Sequence, residues 1–444
     1  MLNTDISPEQ LVVALDIGTT KICVLAGYKN EHGKLEIIGT GKVESNGVSR
    51  GVVSNIEKTV KAISDAVAIA SKQARTTFTK VHVGIAGQHI KSLQHRGGLM
   101  RDDLHTEISQ SDIDRMINDT YKVVLPAGDK ILHVIPQEFI VDNERGIIDP
   151  VGMSGVHLEA NFHLITGQIT ASNNILRCVE KCGLRVNDLT LEPIASAIAV
   201  LSDEEREAGV ALVDMGGGTT DITIFHENII RHTAVIPLGG NIITKDIKEG
   251  CTVMPPQAEK LKVKYGSALA TEIFENRLIG IPGLQNKDSK EISERNLALI
   301  IQARVEEILD HVLWEIKRSG YERKLLGGIV LTGGGSLLRN IEKLTELHTG
   351  MHTRLGLPIG HLAHGYAEEV SSPIYSTAIG LLLKGIDEKS QKETLAATTQ
   401  ANAKSDTITE NNVSEEAVQN PDGWFNNIFR KTKEWFEAEP DSNF

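Results

Sequence analysis

Apolar positions along this chain follow two periods, and the change from one to the other outlines its architecture. The stretch LVVALDIGTTKICVLAG is an apolar run, a polar turn of glycine and threonine, and a second apolar run. VALVDMGGGTTDITIF, in the second half of the chain, repeats that layout. Each pattern predicts a β-hairpin. Two matched hairpins in one chain predict two related domains facing each other across a cleft. Helical spacing follows each hairpin, over Ile56 to Ser71, Ser172 to Cys182 (closed by Gly183), Glu192 to Leu201 and Leu297 to Lys317. GIVLTGGGSLL, Gly328 to Leu338, predicts a buried strand, a glycine turn and a helix start.

Two stretches interrupt this alternation. Between Gly87 and His163 come an acidic, serine-rich helix (Ser109 to Tyr121) and the strands ILHVIPQEFIV and NFHLIT, which predict an inserted subdomain. A second insertion covers about Asp246 to Arg318. From Ile386 to Pro421 the chain is polar and nearly free of large apolar residues, so it is expected to be a disordered linker spanning roughly 35 Å. Beyond it, Trp424, Phe425, Ile428, Phe429, Trp435 and Phe436 share one helical arc of roughly 140° with Thr432. Arg430, Lys431 and Lys433 lie on the opposite side. Aromatic rings on one face and basic residues on the other predict a helix lying on an anionic membrane; docking on the chain itself or on a partner protein is the alternative.

Composition narrows the class. The 444 residues carry a net charge of −13, which disfavours bulk attraction to nucleic acid. Apolar content of 40% is ordinary for a globular chain, and no run of 18 apolar residues occurs. The polar first residues do not read as a signal peptide. The four cysteines lack the spacing of a zinc site or a disulfide framework and are expected to be reduced.

The glycine turns carry the candidate chemistry. Binding a triphosphate takes backbone N–H donors close to anionic oxygens, which glycine permits, and hydroxyls, which threonine adds. Gly18, Thr19, Thr20 and Lys21 in one hairpin, with Gly216, Gly217, Gly218, Thr219 and Thr220 in the other, fit a clamp on phosphates from two sides. Asp16 and Asp214 occupy equivalent places and suit a hydrated Mg²⁺. Gly333, Gly334, Gly335 and Ser336 would meet adenine and the α-phosphate. Taken alone, each turn is ordinary turn chemistry; the joint arrangement is the specific signal.

The order ALDIGTTK, EPIASAIAV, LVDMGGGTTDI, IVLTGGGSLL and YSTAIGLLL resembles the actin, sugar-kinase and heat-shock chaperone superfamily. Within it, HVIPQEFIVD, GIIDPVGMSGVHLEANFHLIT, VEKCGLRV, TAVIPLGGNIITKDI and the terminal amphipathic segment resemble the bacterial division family FtsA, from Leu11 to about Lys384. The resemblance implies an α/β chain with an actin-like ATPase fold: two duplicated domains flanking a nucleotide cleft, with a relocated inserted subdomain. Subdomain 1A would take 11–86 and 164–200, the inserted 1C 87–163, 2A 201–245 and 319–385, and 2B 246–318. The linker would be 386–421 and the membrane helix 422–437.

It further implies ATP and Mg²⁺ as ligands, self-assembly into filaments, and recruitment of FtsZ to the cytoplasmic membrane at the septum, with later division proteins after it. The FtsZ contact would fall in subdomain 2B, including Ser293 to Glu307 with Arg295 and Arg304. Within AEKLKVKYG, Glu259 and Lys262 become candidate ribose or adenine neighbours, against the plainer reading of an exposed helical charge pair. Glu192 becomes the candidate for orienting water, against the plainer reading of a helix-start carboxylate. Turnover would be slow at most. The other readings are an actin-like scaffold of the MreB or pilus type and a sugar kinase, and no sugar pocket or kinase-type ending supports the last.

Overall fold

The computed structural model describes residues 11–101, 106–281, 290–363 and 368–405, with side chains up to 393. The terminal aromatic segment lies outside the described residues, as does linker 406–421.

The first half begins with β1 (Val12–Ile17), β2 (Lys21–Lys29) and β3 (Leu35–Glu44). A short hairpin follows, β4 (Val48–Ser49) and β5 (Val52–Val53), then α1 (Ile56–Ala74) and β6 (Lys80–Ile85). Asn55 caps α1 by accepting the Lys58 N–H at 2.9 Å. The chain then leaves for the insertion: β7 (Lys91–Met100), α2 (Gln110–Thr120), β8 (Asp129–Val141), β9 (Glu144–Ile147) and β10 (His157–Gln168). These strands form their own sheet in the order β7-β10-β8-β9, with α2 on its own small core of Ile113, Met116, Phe139 and Phe162. The sheet runs through Gln168, a few residues past the expected end at His163, because β10 stays paired with β8 to its last residue.

The chain returns through α3 (Ile169–Lys181), β11 (Arg185–Leu191), α4 (Glu192–Val200) and α5 (Asp203–Ala208). The second half repeats the plan: β12 (Val210–Met215), β13 (Thr220–His226), β14 (Ile229–Ile236), then α6 (Gly240–Cys251), α7 (Pro255–Tyr265), β15 (Leu278–Ile281), β16 (Lys290–Ser293) and α8 (Glu294–Ser319). It closes with β17 (Ile329–Thr332), α9 (Ile341–Thr349), β18 (Thr353–Leu355) and α10 (Ser376–Ser405).

The duplication is visible strand by strand. One sheet has the order β3-β2-β1-β6-β11 and the other β14-β13-β12-β17-β18. In each, the hairpin is antiparallel and the next two strands run parallel to its first. The insertions break the symmetry. The larger one in the first half follows the fourth strand, β6, whereas the α6–β16 segment in the second follows the third, β14.

Alternation along β12 shows how the halves share a core. Leu212 joins the first half's apolar cluster, while Ala211 and Val213 join the second half's. Helices α4 and α10 lie between the sheets and cross backbone to backbone: a β-carbon on Gly380 would fall 1.7 Å from the Ala195 carbonyl oxygen. Only glycine permits that approach.

Two expectations need correction. Helix α10 continues through Ser405, so the segment read as linker from Ile386 begins as helix. Its polarity argues against burial, but its Glu, Lys, Gln and Ala residues are good helix formers. The glycine turn after β17 opens a 3₁₀ turn, Gly334–Leu337, and the α-helix starts only at Ile341.

Candidate nucleotide site between the two halves

The two glycine hairpins have the same length and register. Asp16 pairs with Cys23 across one, and Asp214 with Asp221 across the other. The turns therefore superpose residue for residue, with Lys21 in one at the place of Thr219 in the other. Lys21 forms an ion pair with Asp16. Thr219 Oγ1 donates to Asp221 Oδ2 at 3.0 Å.

The tips of the hairpins meet. A β-carbon on Gly217 would fall 2.3 Å from the Thr20 methyl, and one on Gly218 would fall 2.6 Å from Thr19 Oγ1. Glycine is required here by the close approach of the two loops rather than by its freedom of φ. The second loop is braced from behind by Gly240 N–H donating to Gly216 O at 2.9 Å and Asn241 N–H to Gly217 O at 2.8 Å. The third glycine turn closes against the same strand end: at Gly333, with φ of 79°, a β-carbon would fall 2.2 Å from Asp214 Oδ1. Gly335 meets Met215 in the same way, and the buried Ser336 hydroxyl donates to Gly333 O at 2.7 Å.

The connecting helices feed the site. Ser196 Oγ, on α4, donates to Asp214 Oδ2 at 2.7 Å and lies 3.0 Å from Thr377 Oγ1, on α10. Glu192 opens α4 and packs on Gly84 of β6, where a β-carbon would fall 2.8 Å from Glu192 Cγ. Lys262 donates to Gly240 O at 3.0 Å and Thr244 Oγ1 at 2.8 Å, and pairs with Glu259 at 2.8 Å. That places the Glu259–Lys262 pair beside the Gly216 loop, with Lys262 largely covered rather than solvated.

Asp16, Glu192 and Asp214 thus gather about Lys21, with Asp221 beside Asp214 and Glu192. Burial, then Asp16, Asp221 and Asp214, hold Glu192 well above the usual carboxylate range, with Lys21 opposing. Burial and Asp214 push Asp221 up to about 8, against the Thr219 hydrogen bond. Burial also raises Asp214, with the Ser196 bond opposing and Asp16 adding to the rise. Burial would pull the Lys21 ammonium down, but Asp16, Cys23 and Glu192 together outweigh it and the lysine is held as a cation. Among the described residues, Asp221 Oδ1 is buried with no hydrogen-bond partner.

Such a set is short of positive charge and suits a hard cation with oxygen ligands. The residues therefore fit a magnesium–nucleotide, whose phosphates the glycine backbones would meet. Sequence reasoning named the hairpin residues and Glu192. It missed Ser196 and Thr377, whose hydroxyls read as helix composition, and Asp221, whose position at the end of the GGGTTD run was the available signal. The membrane residues Trp424, Phe425, Ile428, Phe429, Arg430, Lys431, Lys433, Trp435 and Phe436 lie outside the described residues.

Known proteins share both the fold and the sequence. Among solved structures, a chain of the PilM–PilN type IV pilus biogenesis complex aligns with a TM-score of 0.62 at 15% identity, covering 84% of this chain and 98% of that one. MreB5 of Spiroplasma citri bound to ADP aligns with a TM-score of 0.53 at 16% identity, covering 87% and 99%. At these identities the likeness concerns the fold, which is the actin-like ATPase fold. The family model for cell division protein FtsA matches residues 211–380, and the model for the SHS2 domain inserted in FtsA matches 87–166, the separate sheet described above. Cell division protein FtsA of Pseudomonas aeruginosa is 42% identical over 86% of this chain and 90% of its own length. The Neisseria meningitidis protein of that name is 41% identical over 84% and 90%, and that of Escherichia coli K12 35% over 85% and 90%. With the insertion in the family's place and relatives 35–42% identical over more than four-fifths of the chain, it belongs to the FtsA family of cell division proteins.

Proposed function

We propose that this chain binds ATP with Mg²⁺ between its two halves, assembles with copies of itself, and holds FtsZ filaments on the cytoplasmic membrane at the division septum, where later division proteins join. The observation that carries the nucleotide part is the meeting of the two glycine hairpins, Gly217 against Thr20, beside the carboxylates Asp16 and Asp214. ADP in the related MreB5 fold supports it.

Gly18, Thr19, Thr20, Gly216, Gly217, Gly218, Thr219 and Thr220 would face the phosphates, and Lys21 would balance their charge. Gly333, Gly334, Gly335 and Ser336, with Glu259 and Lys262, would face the nucleoside. Asp16 and Asp214 would hold the metal, which when bound supplies the positive charge that the acidic set is short of. Glu192 would orient water at the far phosphate, a role that requires its carboxylate ionised. Burial and the carboxylates of Asp16, Asp221 and Asp214 hold it above the usual carboxylate range, and the positive charge of a bound metal would favour its ionised form.

FtsZ would dock on the α6–β16 segment and α8, and the terminal segment from Trp424 to Phe436 would lie on anionic lipid. Among the described residues no helix is long and apolar enough to cross a membrane. The test is flotation of FtsZ filaments with anionic vesicles: they should float with the full chain and ATP, and stay behind with a chain truncated before Trp424.

A further inference from the structure

The geometry points to Arg50 as the residue that contacts the terminal phosphate of a bound nucleoside triphosphate and favours it over the diphosphate. This rests on the nucleotide reading above. Arg50 and Gly51 form the turn between β4 and β5, and both are left-handed, with φ of 49° and 74°. For an arginine that conformation costs about 1 kcal/mol, so the position is set by its surroundings.

The surroundings are the two phosphate loops. Gly51 N–H donates to Thr19 Oγ1 at 3.0 Å, which ties the turn to the first loop. A β-carbon on Gly218 would fall 3.0 Å from Arg50 Cα, which seats the turn on the second loop. Behind it, a β-carbon on Gly51 would fall 2.5 Å from Gly87 Cα, at the residue where the chain leaves for the insertion. The backbone of Arg50 is thus pinned where the two loops meet.

Its side chain is free to act. Arg50 is exposed, and among the described residues its guanidinium has no hydrogen bond or ion pair. The fixed charge about Glu192 is the carboxylates of Asp16, Asp214 and Asp221, with Lys21 opposing. A third phosphate adds further negative charge at this seam. An arginine fork matches phosphate oxygens bidentately, and a diphosphate lacks the group it would hold.

Calorimetric titration of ATP and of ADP, each with magnesium, into the full chain tests this. Arg50→Ala should weaken ATP about tenfold and ADP less than about twofold, and Arg50→Lys should restore part of the ATP affinity. An unchanged ratio of ATP to ADP affinity, or equal weakening of both, overturns the assignment. A parent chain that binds neither nucleotide overturns the nucleotide reading, and this one with it. Thermal unfolding without ligand checks the fold of each variant. Should Arg50→Ala be unfolded, Arg50→Lys carries the comparison: it must lose part of the ATP preference with ADP affinity intact, and a parental ratio counts against the proposal.

Discussion

Gly217 and Thr20 belong to different halves of the molecule, yet a β-carbon on the glycine would fall 2.3 Å from the threonine methyl. Gly217→Ala should therefore push the loops apart, at about 1–3 kcal/mol. Loss of the ATP-dependent rise in Tm would report it. Thr20→Ala removes the obstructing methyl, so the double variant should recover part of the rise; independent, additive losses would mean the two loops do not bear on each other.

Helices α4 and α10 can cross only through Gly380. Gly380→Ala should cost several kcal/mol in urea unfolding, or abolish folding, because its β-carbon would fall 1.7 Å from Ala195 O. Gly360→Ala, at a position with nothing within 4 Å, is the control and should unfold like the parent.

A buried ion pair fastens α10 to the first sheet, with Lys384 Nζ 2.6 Å from Asp188 Oδ2. Burial alone would raise Asp188, but Lys384, with Thr190 and His82, outweighs it and holds the carboxyl below the usual range. Its contribution is therefore present above the unfolded carboxylate range, near pH 4, and is lost as the pH falls through the lower folded value. Lys384→Met should cost about 3–5 kcal/mol at pH 7 by stranding Asp188, and less in acid. An equal cost in urea melts at pH 7 and pH 3 would show that the pair is not electrostatic in origin.

Glu192→Gln should slow phosphate release while leaving ATP affinity nearly intact. The parental rate of release would reduce Glu192 to a helix-start residue.

Much of this was legible in the sequence, for a physical reason. A glycine–threonine turn between two apolar runs states a hairpin locally, and the repeat of Asp16 and its turn at Asp214 states the duplication. What joins the hairpins was not legible, because Gly217 and Thr20 meet only after two sheets have formed around α4 and α10. The turn at Arg50 escaped notice since strands of two residues leave no periodic signal. The polar stretch after Ile386 was misjudged because low hydrophobicity argues against burial and says little about helix formation.

Negative-stain imaging on anionic lipid monolayers tests the central claim most directly, that ATP gates assembly of this chain on a membrane. The full chain with ATP and magnesium should form filaments on the lipid, and both nucleotide omission and deletion from Gly423 onward should abolish them. Filaments of equal number with and without nucleotide, or with and without the terminal segment, would contradict it.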